Sequence, residues 1–201
     1  MLDHHISMVF IPHKAALKKR STKYQMIQKR LKTTSANSFQ EAWKLYEDAF
    51  PPQERRLWHE QKYILQNDKY HFDVYIRKNQ FTGFLLWWNF GTFRYIDHFA
   101  TIAAQRNKGI GKQILQDFLN LNATPIILEV ELPSSHIEQR RIQFYKRLGF
   151  QLNHHYYEIP PSEKNQSPLQ LLLMSYPHPL TDNDVELFVE KYLPMTFSPE
   201  S

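Results

Sequence analysis

"QRNKGIGK", residues 105–112, is the stretch on which the reading of the whole chain turns. The chain has five glycines in 201 residues, and Gly109 and Gly111 stand one residue apart here, flanked by Arg106, Lys108 and Lys112. Ile110, Ile114, Leu115 and Phe118 then recur at helical spacing, which predicts a helix over about 109–120. Asn122 to Pro125 end it. A turn that opens into a helix leaves the first backbone N–H groups unpaired at the positive end of the helix dipole. Glycine allows positive φ and lets a ligand approach the backbone closely. Residues 106–112 therefore read as a cradle for phosphate or pyrophosphate.

Two common nucleotide patterns do not fit it. In the P-loop spacing, Arg106 stands where the first glycine belongs and Gln113 where Ser or Thr belongs. The dinucleotide fingerprint needs a third glycine where Ile114 stands, and no βαβ unit opens the chain.

Upstream of the cradle, "MIQKRLKTT" (26–34) predicts a first strand. Ser38 is expected to cap a helix carrying Phe39, Ala42, Trp43, Tyr46 and Phe50, which Pro51-Pro52 ends. A short second helix is expected within 55–66, with Leu57, Trp58 and Leu65 apolar. A meander of three strands follows. It comprises "YHFDVYIRK" with Phe72, Val74 and Ile76 on one face, a turn at Asn79-Gln80, "FTGFLLWWNF", a turn at Gly91-Thr92, and "FRYIDHFATI".

Downstream, "IILEVEL" (126–132) predicts a strand with Ile126, Leu128, Val130 and Leu132 on one face. Ile127, Glu129 and Glu131 share the other. Ser135 with Glu138 forms a capping box that starts a helix carrying Ile137, Arg141, Phe144, Tyr145 and Leu148, and Gly149 stops it. Two final strands, "FQLNHHYYEI" and "LQLLLMSY", flank a Pro- and Ser-rich loop at 160–168, and "TDNDVELFVEKYL" is a capped terminal helix. The order predicts an α/β or α+β architecture, a mixed sheet with flanking helices.

Composition narrows the class. The chain has no cysteine, which excludes disulfides, Cys-ligated metal and a thiol nucleophile, and fits a reducing compartment such as the cytoplasm. No run reaches the roughly 18 apolar residues of a membrane span. Residues 1–32 hold eight Lys/Arg and one acid, net +7 against +5 for the whole chain, so the body carries −2. The basic character belongs to a leader, and the acidic body argues against a nucleic-acid partner. The expected division is a basic leader (1–25), a domain (26–177) and a helical tail (178–201). His4-His5 and His154-His155 are adjacent pairs, which in strands face opposite ways, so no metal is expected.

Arg106-x-x-Gly109-x-Gly111 after an antiparallel strand resembles the acyl-CoA-binding motif of the GCN5-related N-acetyltransferases. "IILEVELP" and "RRIQFYKRLGF" resemble that family's next strand and helix, and the likeness covers about 26–177. It implies the acyl-CoA N-acyltransferase fold, with a mostly antiparallel twisted sheet whose strands 93–102 and 126–132 splay apart. It implies acetyl-CoA as donor, the pyrophosphate on the amides of Asn107, Lys108, Gly109, Ile110, Gly111 and Lys112, and the pantetheine arm along Phe99, Ala100 and Thr101. It implies transfer to a primary amine by direct attack through a tetrahedral intermediate. The alternative is a non-catalytic acyl-CoA-binding sensor or partner module on the same fold. One position departs from the family pattern, with Glu138 standing where an Asn is frequent.

The chemistry needs a base, an oxyanion donor and an acid. By resemblance Tyr145 stands where the family's thiol-protonating tyrosine stands, although it shares an apolar stripe with Phe144 and so also suits the core. For the base the candidates are Glu129, Asp97 and His98, or a chain of waters. Glu129 and Glu131 share a face, where like charge would raise one pKa, and neighbours Asp97 and His98 should face opposite ways. The acceptor is a small-molecule or peptide amine, with walls expected from 39–66 (Trp43, Tyr46, Glu47, Phe50, Trp58, Glu60) and the 160–168 loop. A homodimer is compatible with all of this.

Overall fold

The computed structural model describes residues 25–159 and 169–197. Residues 1–24 of the expected leader, the 160–168 loop and the last four residues lie outside that range. The described elements are β1 (Ile27–Leu31), α1 (Phe39–Ala49), α2 (Trp58–Ile64), β2 (Tyr70–Arg77), β3 (Gln80–Asn89), β4 (Arg94–Thr101), α3 (Ile110–Leu119), β5 (Ile126–Glu131), α4 (His136–Lys146), β6 (Gln151–Ile159), β7 (Leu169–Tyr176), α5 (Asp182–Leu187) and α6 (Pro194–Phe197). They build one seven-stranded sheet in the order β1-β2-β3-β4-β5-β7-β6. Every neighbouring pair is antiparallel except β4 and β5. Among the described residues no helix is long and apolar enough to cross a membrane.

Alternation along the strands gives the sheet two apolar faces, each covered by helices. On one face α1, α2 and the C-terminal segment bury Phe39, Tyr46, Phe72, Phe84, Leu173 and Phe188. On the other α3 and α4 bury Leu85, Trp87, Ile114, Phe118, Leu128 and Ile142. The predicted stripe of α3 is the buried one, since Ile110, Ile114, Leu115 and Phe118 are each at most 1% exposed.

Arg94 fixes the far end of α3. It is buried in β4 and donates to Phe118 O at 2.6 Å, Thr124 O at 3.1 Å and Asn122 O at 3.3 Å. These carbonyls belong to the last turn of α3 and the loop that leaves it, where acceptors lack helical partners. The start of α3 is thereby held at a set height above the sheet.

Some local expectations are corrected. Ser38 occupies the N-cap of α1, but at φ 76° its side chain makes no capping bond. The β2–β3 turn is Lys78-Asn79, both at positive φ (53° and 59°), and Gln80 already belongs to β3. Two positive φ values match the twist of a tight hairpin. A register shift at Tyr75/Ile76 leaves Ile76 half-buried. In α4 it is Ile142 that packs inward, while Ile137 is 71% exposed. Leu57 and Trp58, expected as the apolar side of α2, are 60% and 39% exposed.

Candidate active site

The site forms where β4 and β5 part. They pair only from Arg94/Ile126 to Ile96/Leu128. Beyond that point β4 stays with β3 and β5 stays with β7, so the backbone of 97–101 has no strand partner on its β5 side. A cavity of about 1400 Å³ occupies the opening. It passes between the sheet faces, touching the first turn of α3 and Tyr145 of α4 on one side and the loop before α2 on the other.

At the α3 end, a single 3-10 turn (Ala103–Gln105) leads into 106–109. Gly109 is the N-cap of α3 at φ 75°, a left-handed conformation that favours glycine, and no side chain caps the helix. The first N–H groups of α3 are thus left for a ligand. Arg106, Lys108 and Lys112 are exposed around them. Arg140 of α4 donates to Asn107 Oδ1 at 2.8 Å, which ties the loop to the next helix. Phe99 underlies Gly111, where an added Cβ would lie 3.4 Å from its ring.

The middle of β4 breaks its own alternation. His98 pairs with Leu86 and Ile96 with Trp87, leaving Asp97 as the extra residue of a bulge. A bulge re-aims side chains. Asp97 and His98, expected on opposite faces, therefore lie together on the α1/α2 face with Nδ1 of His98 2.9 Å from Asp97 Oδ1. The other ring nitrogen, Nε2, is 2.8 Å from the backbone oxygen of Glu54. The ring packs edge-on against Tyr46 and Phe50.

Asp97 is buried and ion-paired to Arg56 at 2.6 Å, and Trp88 Nε1 donates to it at 3.3 Å. Burial alone would raise its carboxyl, but Arg56 and then His98 outweigh that and hold it well below the usual carboxylate range. Arg56 also donates to Thr196 O at 3.2 and 2.9 Å, and its N–H bonds the Tyr46 hydroxyl at 2.9 Å. The C-terminal segment is thus tied to the site.

Glu129 lies on β5 across the opening. It accepts a short hydrogen bond from the Tyr95 hydroxyl. Its carboxyl is raised to about 8, with burial the largest cause, the Tyr95 hydrogen bond pulling it down, the charges of Asp97 and Glu54 pushing it up and Arg56 pulling it down. The like charges that raise it are Asp97 and Glu54 rather than the expected Glu131, which is ion-paired to Arg141. Tyr145 reaches the cavity from α4, and its hydroxyl has no hydrogen-bond partner among the described residues. Burial first, against Arg141, raises that hydroxyl to about 12.

Phe99, Ala100, Thr101, Arg106, Asn107, Gly109, Ile110, Gly111 and Lys112 all border the cavity with Asp97, His98, Glu129 and Tyr145. Lys108 stands in the same loop but is not among the bordering residues. Of the expected acceptor walls, Phe50 and Glu60 border it, whereas Trp43 and Tyr46 are core. Sequence reasoning missed Arg56, Tyr95 and Glu54. A signal for Arg56 existed, since an acid inside the apolar "YIDHFA" needs a buried cation.

Residues 68–152 match the acetyltransferase (GNAT) domain family. A solved protein from Bacteroides thetaiotaomicron, assigned to the GNAT acetyltransferases, is 30% identical, with 83% of this chain and 98% of its own covered and a TM-score of 0.72. The chain belongs to the GNAT family. Two more distant structures share the GNAT fold. One is an aminoglycoside 6'-N-acetyltransferase complexed with coenzyme A, at 14% identity and TM-score 0.56, covering 78% of this chain and 99% of its own. The other is a GNAT acetyltransferase from Elizabethkingia anophelis with acetyl-CoA bound, at 15% identity and TM-score 0.51, covering 75% and 96%. No curated protein sequence matches the chain. Within this GNAT scaffold Glu138 is committed to its own helix, accepting from Ser135 N at 2.5 Å while Ser135 Oγ accepts from Glu138 N at 3.4 Å.

Proposed function

We propose that the protein is an acetyl-CoA-dependent N-acetyltransferase, moving an acetyl group to a primary amine by direct attack through a tetrahedral intermediate. One observation carries the reading. The parted strands open a single passage with an anion cradle on one sheet face and buried carboxylates on the other.

The residues present fit acetyl-CoA. The uncapped amides at the start of α3, with Arg106, Lys108 and Lys112, suit a pyrophosphate. The unpaired backbone of Phe99 to Thr101 suits an amide-bearing arm, as a strand edge does. Acetyl-CoA supplies an acetyl group already activated as a thioester.

Glu129 is the preferred base. Its carboxyl, raised to about 8, is matched to taking a proton near neutral pH. Asp97 is held ionised by Arg56 and is a weak base. Both ring nitrogens of His98 face oxygen atoms, so it serves to orient Asp97 and the Glu54 loop. Tyr145 borders the cavity and holds its proton at neutral pH, so its hydroxyl can face a leaving thiolate, although burial makes it a weaker acid than a free phenol and the thiolate beside it has to offset that cost.

Tyr145→Phe tests the reading. Turnover is expected to fall about 10²- to 10⁴-fold, with CoA affinity kept. Unchanged turnover removes Tyr145 from the acid role. Tight acetyl-CoA binding with no turnover of any amine by the wild type would make the protein a binding module.

A further inference from the structure

Resting on the acetyl-transfer reading above, we propose that the C-terminal segment, from Phe188 to Thr196, is a working part of the transfer site, and that it acts through Tyr95, a positioning residue for Glu129.

Register explains why Tyr95 is the residue that reaches Glu129. β4 and β5 run parallel, and Tyr95 pairs with Ile127 one step before the last pair, Ile96 with Leu128. Glu129 is therefore the first residue of β5 beyond the pairing with β4, and by alternation it shares the face of Ile127 and Tyr95. The Tyr95 hydroxyl donates to Glu129 Oε2 and so spans the point of parting. The bond ties a carboxylate at the mouth of the opening to the strand that leaves it.

Tyr95 is buried, and the C-terminal segment seats its ring. The ring of Phe188, just past the end of α5, lies 5.2 Å from it at 58°. Phe188 is itself buried and also meets the ring of Phe93 at 6.1 Å. At the other end of the segment, Thr196 O accepts from Arg56 at 3.2 and 2.9 Å, and Arg56 is paired with Asp97 at 2.6 Å. Between these two ends Val189, Leu193 and Pro194 border the passage. The segment thus holds the donor to Glu129 at one end and the cation of Asp97 at the other.

A hydroxyl donor favours the ionised form of a carboxylate. At Glu129 it works against burial, the largest cause, and against the charges of Asp97 and Glu54, and it works with Arg56. Of the other charged groups at the opening, His98 lies on Asp97 and Glu131 is paired to Arg141. On β7 the register partner of Glu129 is Leu173, which carries no charge. Losing the tyrosine bond therefore keeps the carboxyl protonated to higher pH.

The test uses the full chain with its glutamate carboxyls labelled with carbon-13, and follows Glu129 by NMR against pH. Its signal is identified by its loss in Glu129→Gln. In Tyr95→Phe, which keeps a ring against Phe188, the titration should move up by about one pH unit or more. Phe188→Ala removes the seat and should move it the same way by less, with Phe188→Leu in its place if the alanine variant does not fold. Made on top of Tyr95→Phe, the Phe188 change should add nothing, because it acts through the hydroxyl. The rising limb of kcat/KM should follow the titration, with acetyl-CoA affinity close to wild type. It is measured with acetyl-CoA and whichever of 2-phenylethylamine, spermidine and a peptide with a free N-terminus is used fastest. A Glu129 titration unmoved by Tyr95→Phe or by the Phe188 change overturns the inference. So does a Phe188 shift that adds in full to that of Tyr95→Phe, or a titration that moves while the limb stays. Acetyl-CoA bound by the wild type but used with none of the three amines overturns instead the acetyl-transfer reading on which the inference rests.

Discussion

Glu129 sits inside the protein with a tyrosine hydroxyl on it and acids nearby, and its carboxyl is pushed up to about 8. As the base it must be ionised to act, so kcat/KM should rise with pH through about 8 and level above it. Glu129→Gln should remove that limb and lower kcat/KM about 10²-fold or more, as read in a pH–rate profile. Folding follows the same proton. Between the ordinary carboxyl value of 4.5 and about 8, the folded state holds a proton that the unfolded state releases. Stability contributed at Glu129 is therefore full at low pH and declines as pH rises through that window. Glu129→Gln should flatten the decline by on the order of 2 kcal/mol in urea unfolding at pH 5 against pH 9. Asp97 behaves in the opposite sense, because its folded carboxyl is depressed and its stabilisation is lost only in acid. Asp97→Asn leaves Arg56 buried beside a neutral amide and should cost about 3–5 kcal/mol at pH 7. Alternation placed Glu129 on the correct face from sequence alone. What sets its proton affinity was not legible, because Tyr95, Asp97 and Glu54 come from distant parts of the chain.

At the scale of elements, α3 carries the proposed cradle, and its position depends on packing beneath and on Arg94 behind. Leu115 is fully buried under it, and Leu115→Ala should cost about 2–5 kcal/mol in denaturant unfolding. β4 depends on the strand beside it. A Cβ at Gly83 would lie 2.4 Å from Ala100 O, so Gly83→Ala must displace β4 along the unpaired stretch. Weaker acetyl-CoA binding is expected by calorimetry, by about tenfold, from loss of the backbone register the arm needs. The α3 helix was legible because its apolar period, its opening glycines and its breaking residues agree. The bulge at Asp97 was not, because it exists only in the pairing of β4 with β3. That one extra residue is why the expectation of opposite faces for Asp97 and His98 failed.

Over the whole molecule, the two apolar faces hold one sheet, and the sheet opens where β4 and β5 part. Strand order through the meander was legible, and so was the resemblance that implied the parting. The role of the C-terminal segment was not. Its sequence announces a capped helix, and Thr181 and Asp184 do form the cap. Nothing local shows that Thr196 reaches Arg56, 140 residues earlier, and walls the cavity. The central claim is that this passage holds acetyl-CoA with its pyrophosphate on the start of α3. Titration calorimetry of acetyl-CoA into wild type and Gly111→Glu tests it most directly. A Cβ at Gly111 meets only side-chain carbons at 3.4 Å or more, so the variant should fold, while the added carboxylate puts negative charge in the first turn of α3 beside the proposed pyrophosphate site. Saturable one-to-one binding in the wild type, lost in a variant of unchanged melting temperature, is the predicted result. No binding in the wild type, or equal binding in both, would contradict it.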